Sequence, residues 1–248
     1  MSKIVINKKI ESFNRTILIP GDKSLSIRWV LFASLASGIS KAKNLLKSED
    51  VVAAINAVRK LGIRVNVNKN ETKIYGKGIN GYKYKKKIKI NAQNSGTLAR
   101  LILGILIDTP YPIKILGDKS LSKRDFKRVT DPLSKFGAKF KFKKKHILPL
   151  TISGSSKLNS IKYIEKRGSA QCKSSVIFGA MKARGTTIIK AKKSRNHTEL
   201  LCKYLGLPVL VKHKKTYDEI NIKQIKKIKT LNYNIPSDIS SSAFFIGL

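Results

Sequence analysis

SLSIRWVLFASLASG, residues 24–38, is a helix-length apolar run opened by a serine, and the chain repeats that opening three more times. SGTLARLILGILID begins at Ser95, SAQCKSSVIFGAMKARG at Ser169 and SSSAFFIGL at Ser240, so the four starts are almost evenly spaced. A second series interleaves with the first at nearly the same spacing: apolar stretches ending Leu61-Gly62, Phe136-Gly137 and Leu205-Gly206. Each closes on glycine, the residue suited to the left-handed position after a helix C-terminus, and each runs on into an extended, β-branched or lysine-alternating segment. Self-similarity at a period of about 70 residues predicts an α/β domain of three βαβαββ repeats. The fourth copy breaks off at Leu248, so the chain reads as C-terminally truncated.

Within the first copy the pattern predicts a helix over 24–38, a strand over 41–46 and a second helix over 51–61. Ser48-Glu49-Asp50 opens that second helix with acidic groups at the positive end of its dipole. Strands over 63–68, 73–75 and 86–90 complete the copy. Residues 1–20 read as one or two short strands ending at Pro20, and 232–236 as a hinge. The two crossing segments then enter and leave the three-repeat unit side by side. The expected division is 1–20 as a strand of a second, incomplete domain, 21–234 as the three-repeat domain, and 235–248 as the start of the second domain.

Lys and Arg number 52 against 14 Asp and Glu, a formal charge of +38. A basic nucleic-acid-binding protein is one reading, because lysines release counterions from phosphate backbones. The lysines are spread over the expected hairpins (83–89, 139–145, 212–229), and Lys, Ile and Asn are abundant together. That favours AT-rich codon bias over a nucleic-acid face. Cys172 and Cys202 have no metal-like spacing and read as two reduced, buried thiols. His146, His197 and His213 form no metal constellation. No apolar run reaches membrane-span length and the first residues lack a signal-peptide core, so a soluble, cytoplasmic protein is expected.

Pro20-Gly21-Asp22-Lys23-Ser24-Leu25-Ser26-Ile27-Arg28 turns at Gly21 and opens a helix. It combines free backbone N–H groups and a positive helix end with an ammonium and, one turn on from Ser24, a guanidinium fork. Those are the elements of an anion site. Asn94-Ser95-Gly96-Thr97 and Gly168-Ser169-Ala170-Gln171 place small polar residues at the same point of the next two repeats. Three such helix starts converging on one end, with no acidic residues between them, suit a multiply anionic small ligand. Lys123-Arg124 adds cations in the second repeat and Arg195 takes the corresponding place in the third, while His197 reads as a polar helix-start residue.

GDKSLSIR, NSGTLAR, GDKSLSKR, LPLTISG, GSAQCKS and SRNHTE, in this order and spacing, resemble the 3-phosphoshikimate 1-carboxyvinyltransferase (5-enolpyruvylshikimate-3-phosphate synthase) family. The resemblance runs over nearly the whole chain but over little more than half of a family member, which has six repeats in two domains. It implies an inside-out α/β barrel domain and transfer of the enolpyruvyl group of phosphoenolpyruvate to the 5-hydroxyl of shikimate 3-phosphate, with release of phosphate. It implies no metal or cofactor, and a monomeric full-length protein. Lys23 would contact both substrates, Ser24 and Arg28 would hold shikimate 3-phosphate, and Gly96 would let phosphoenolpyruvate sit against a helix start. Arg124 would pair with phosphoenolpyruvate. Ser169 and Ala170 would lie on shikimate 3-phosphate, Gln171 would touch both ligands, and Arg195 would add a contact on the shikimate side. Fixed cations offset the repulsion of two anions brought together, and orientation lowers the barrier.

Three departures from the family pattern stand out. Asp125 follows Arg124 where proline is usual, Asn196 replaces a common aspartate, and most of the second domain, with its general base, is missing. Asp238 matches the entry to that domain and is not assigned the base role. The 248 residues are therefore expected to hold one wall of the site and not to turn over alone. The sister UDP-N-acetylglucosamine enolpyruvyl transferase is the nearest rival. It carries Lys-Asn where Lys23-Ser24 stands, and most members have a cysteine in the loop that here, over 117–124, has none.

Overall fold

The computed structural model describes Asn14 and residues 16–246. The first repeat comprises α1 (Lys23–Leu35), β1 (Ser37–Lys43), α2 (Glu49–Lys60), β2 (Arg64–Val67) and β3 (Thr72–Lys77). The second comprises β4 (Lys89–Asn91), α3 (Gly96–Ile105), β5 (Ile113–Leu116), α4 (Lys127–Lys135), β6 (Lys139–Lys144) and β7 (Ile147–Ser153). The third comprises β8 (Lys162–Glu165), α5 (Ala170–Ala180), β9 (Thr186–Lys192), α6 (His197–Tyr204), β10 (Val209–His213) and β11 (Tyr217–Lys223), and β12 (Tyr233–Asn234) and α7 (Ile239–Ile246) follow. The βαβαββ order is thus present in full twice.

Each repeat builds one four-stranded sheet, ordered β4-β5-β7-β6, β8-β9-β11-β10 and β12-β1-β3-β2. In all three the first pair is parallel and the others antiparallel. The first sheet takes its opening strand from the far end of the unit: Tyr233 and Asn234 pair with Ala42 and Lys43. Beside them the incoming and outgoing chains cross. Asp22 N–H donates to Pro236 O (2.8 Å) and Asp238 N–H to Pro20 O (2.9 Å), a reciprocal pair around an antiparallel Gly21/Ser237 bridge. Of the strands expected over 1–20, residues 1–13 and 15 lie outside the described residues, and 16–20 carry no strand.

Several boundaries differ from the sequence reading. The strand expected over 41–46 begins at Ser37 and ends at Lys43. Helix α1 stops at Leu35, Ala36 is already extended, and Gly38 at φ +119° carries the chain straight onto β3, whereas Asn44 at φ +54° turns it away. The serine register also slips in the first copy. The helix caps are Asp22, Ser95 and Ser169, each accepting from the N–H three residues on (Leu25, Leu98, Cys172), so Ser24 lies inside its helix. An aspartate and a serine cap equally well, so the shared serine misaligned that copy by two residues.

The three opening helices form the centre and the sheets the outside. Helices α1 and α5 are buried on every side from their first turn onward, and α3 nearly so. The sheets alternate: β7 and β11 bury every second residue, and β6 turns its lysines outward from Phe140 and Phe142. Small residues let the helices approach: a Cβ on Gly104 of α3 would lie 2.0 Å from the Ser175 carbonyl oxygen of α5. Phe32 and Phe178, with ring centroids 4.8 Å apart, join α1 to α5. This bundle fixes where the helix N-termini point.

The hexapeptide GDKSLS occurs twice, at 21–26 and 117–122, with two outcomes. In both copies the aspartate side chain takes the N–H three residues on, Asp22 from Leu25 and Asp118 from Leu121, each at 2.7 Å. After 21–26 comes Ile27 and an apolar run that is buried whole, and the turn extends to 13 residues. After 117–122 come Lys123, Arg124 and Asp125, and the turn stops as a three-residue 3-10 helix, Leu121–Lys123. A helix nucleus is costly and grows only where packing rewards it.

Candidate active site

A cleft of about 430 Å³ opens where the helix starts meet. Asp22, Lys23, Ser24 and Arg28 of the α1 segment line it with Thr97 of α3, Ala170 and Gln171 of α5, Arg195, and Asp238 and Ser240 at α7. The convergence expected from the repeats is present. The expectation of no acidic residue between the helix ends is not met, since two aspartates stand in the wall. Both are engaged in local turns, Asp22 accepting from Leu25 N–H and Asp238 from Ser240 N–H (2.9 Å). The serine-for-aspartate misalignment concealed them.

Arg28 is the buried cation of this cleft, 2% exposed. Its Nε donates to Thr198 Oγ1 (2.7 Å), Nη2 to Ser174 Oγ (3.0 Å), and Nη1 to Ser24 Oγ (2.5 Å) and Ser24 O (3.1 Å). Four of its five N–H donors are held by neutral oxygens, leaving one on Nη2. Burial lowers its pKa to about 10, which leaves it fully charged at neutral pH. Ser24 and Arg28 therefore form one rigid unit. Thr198 and Ser174, which orient the fork, were missed by the sequence reading, because their contact joins two different helices and nothing local signals it.

Lys23 is half exposed and pairs with Asp50 of α2 at 3.0 Å. A surface pair of this kind contributes about 0–1 kcal/mol, so the ammonium can leave it for a stronger anion. Arg195 is exposed, its Nη2 3.4 Å from Ser240 Oγ. Ser169 caps α5, its Oγ accepting from Cys172 N–H (3.3 Å), which leaves the hydroxyl proton for another acceptor. Glu165, buried and also missed by the sequence reading, holds the preceding turn by accepting from Arg167 and Ser169 N–H (3.2 and 2.8 Å).

A second cationic lobe adjoins the first. A Cβ on Gly96 would stand 2.9 Å from Arg100 Nη1 and 3.1 Å from Arg124 Nη1, so two guanidinium groups flank the space the glycine leaves. Arg124 Nη2 also donates to Asn94 Oδ1 (3.4 Å), which links it to Asp118. Arg100 was missed, although it stands one turn above Gly96 as Arg28 stands above Ser24. Burial lowers its pKa. Gln171 ties the lobes together, accepting from Arg100 Nη1 (2.7 Å) and donating to Thr97 Oγ1 (2.9 Å). Asp125, where proline was expected, accepts from Lys127 N–H (2.7 Å) at the start of α4. Asn196 caps α6 without a side-chain hydrogen bond.

None of the ion pairs among the described residues involves Arg28, Arg100, Arg124 or Arg195. Arg28 and Arg100, which burial withdraws from water, are costly without a carboxylate unless an anion completes them, and the exposed Arg124 and Arg195 stand beside them. Two such lobes joined through one glutamine suit two anionic ligands held side by side. Among the described residues no cluster of three His, Cys, Asp or Glu is placed to hold a metal, and no helix is long and apolar enough to cross a membrane.

The sequence profile of EPSP synthase (3-phosphoshikimate 1-carboxyvinyltransferase) matches residues 7–248. The chain belongs to the EPSP synthase family. A 3-phosphoshikimate 1-carboxyvinyltransferase of Caldicellulosiruptor bescii is 40% identical over 98% of this chain and 57% of its own length. One of Bacillus subtilis is 38% identical over 96% and 55%. The chain thus spans about half the length of the curated relatives it matches. An EPSP synthase structure from Acinetobacter baumannii superposes with a TM-score of 0.85 at 33% identity, over 93% of this chain and 51% of that one. The fold is that of an EPSP synthase α/β domain, and the nucleic-acid-binding and UDP-sugar alternatives are not favoured. Because the Gly96 contacts are the mobile ends of two arginines, Gly96→Ala is expected to leave folding stability within about 1 kcal/mol. It should move both guanidiniums by a few tenths of an ångström and weaken anion binding in the second lobe. Thermal unfolding and a phosphonate titration check both parts.

Proposed function

We propose that this chain supplies the shikimate 3-phosphate wall, and part of the phosphoenolpyruvate wall, of a 3-phosphoshikimate 1-carboxyvinyltransferase. In that reaction the 5-hydroxyl oxygen of shikimate 3-phosphate bonds to the enolpyruvyl carbon, its proton is lost, and phosphate leaves. The observation that carries the reading is the pair of arginine lobes bridged by Gln171, without carboxylate partners. In this reading Ser24, Arg28, Ser169, Ala170 and Arg195 take shikimate 3-phosphate. Gly96 and Arg124 take phosphoenolpyruvate, and Lys23 and Gln171 touch both. Residues 21–234 are the substrate-binding unit, and 235–248 lead into a second, similar one. The chain's own groups contribute orientation and charge. Two anions are held against their repulsion, and first-turn N–H groups with fixed guanidiniums face the oxygens where charge gathers.

Calorimetric titration of the 248-residue protein with shikimate 3-phosphate is expected to give one site, weakened about tenfold by Lys23→Ala. A wild-type isotherm without heat across a range of temperatures, or one indifferent to the Lys23→Ala and Arg28→Met changes, would reject the reading.

A further inference from the structure

The first turn of α6 delivers three consecutive polar residues to three partners. His197 Nδ1 meets Ser24 Oγ at 3.1 Å, Thr198 takes Arg28, and Lys173 Nζ, buried on α5, lies 2.7 Å from Glu199 Oε1. The last two contacts join fixed partners. The first does not, because both atoms can exchange roles. Ser24 Oγ already accepts from Arg28 Nη1, so its single proton goes either to His197 Nδ1 or into the cleft. If it turns to a ligand oxygen, Nδ1 must carry a hydrogen of its own, since two acceptors cannot face one another.

We infer that His197 is a proton-linked positioning residue. When an oxyanion binds the cleft, the ring presents Nδ1–H to Ser24 Oγ, freeing the Ser24 hydroxyl for the anion, and the anion's charge lets the other ring nitrogen hold a second proton taken up from solvent. This rests on the proposed anion cleft. The charges around the ring are Asp22 (3.9 Å from Nδ1) and Arg28 on the α1 segment, Arg195 before α6, and Asp238 before α7. In the empty cleft burial, reinforced by Arg28 and Arg195, holds the ring pKa below the usual histidine value against Asp22 and Asp238. A bound dianion reverses that balance. By linkage the gain in affinity is fully present below the free-state pKa and is lost as pH rises through the higher bound-state pKa. A difference of about one pKa unit between the states corresponds to a tenfold gain.

The test is titration with shikimate 3-phosphate and with inorganic sulfate, which stays ionised throughout, between about pH 5 and pH 8. Proton uptake is read from buffers of different ionisation enthalpy. Wild type is expected to take up protons on binding both anions and to bind sulfate about tenfold more tightly at the acid end than at the alkaline end. His197→Asn, whose amide can still donate to Ser24, should keep the alkaline-end affinity and lose the uptake and the pH dependence. His213→Gln, remote and paired with Asp218, should retain both. The imidazole signal of His197, followed by NMR in wild type with and without sulfate, should titrate at higher pH with the anion, which covers the case of a variant that does not fold. Anion binding with no proton uptake, or with an unmoved His197 titration, overturns the inference alone. No binding of either anion overturns it together with the cleft.

Discussion

Gly104→Ala is expected to destabilise the fold by about 3 kcal/mol or more. The added methyl would sit 2.0 Å from the Ser175 carbonyl oxygen and 2.9 Å from its carbon, both backbone atoms of a helix buried on all sides. Neither can swing away, so α3 and α5 must separate. That separation also opens the Ser175 Oγ donation to Arg100 O (2.7 Å), and with it the base of the second arginine lobe. Gly206→Ala is the contrast. Nothing stands within 4 Å of its Cβ position, and only its φ of +63° resists substitution, at about 1 kcal/mol. Urea unfolding of the two variants should separate them clearly. A loss below about 1 kcal/mol for Gly104→Ala would mean that the helices are not packed at this distance.

Arg28→Met is expected to weaken shikimate 3-phosphate binding about 100-fold while changing stability little. Charged hydrogen bonds contribute roughly 1.5–3 kcal/mol each, and an anion would lose both the charge and the fixed Ser24 that the fork orients. Folding loses four hydrogen bonds but also the burial of a cation that has no carboxylate partner, and the two effects oppose one another. Methionine fills similar space. Lysine keeps the charge but cannot reach Thr198, Ser174 and Ser24 at once, so Arg28→Lys should recover only part of the affinity. Calorimetry alongside chemical unfolding reads the two consequences separately. A variant that loses stability and affinity in equal measure would make Arg28 a core residue only.

The repeat was legible because its helices had to be apolar over a full turn or more and its strands had to alternate. Both periods survive in a single sequence, as 96–105 and 139–144 show. The cap of the first helix was not legible, since Asp22 does in that copy what Ser95 and Ser169 do in theirs. Nor was the fate of GDKSLS, which local residues leave open and the stretch that follows decides. In the site, Lys23, Ser24, Arg28, Ala170, Gln171 and Arg195 were named from the sequence and line one cleft. Gly96 and Arg124 form the lobe beside it, and Ser169 stands behind as a cap. Thr198 and Ser174 act through contacts between repeats, for which one sequence carries no signal, whereas the spacing of Arg100 from Gly96, the same as that of Arg28 from Ser24, could have been read. The borrowing of β12 by the first sheet belongs to the same class, because Tyr233 and Asn234 are too short a strand to announce a partner in the first repeat.

The most direct test of the two-lobe account is a crystal structure of this chain grown with shikimate 3-phosphate. The account predicts the phosphoryl group within hydrogen-bond reach of Arg195 and the α5 first turn, the ring against Ser24 and Arg28, and the lobe between Arg100 and Arg124 open beside Gln171. Ligand density seated elsewhere on the protein, with Arg28 still bonded only to Ser24, Ser174 and Thr198, would contradict it.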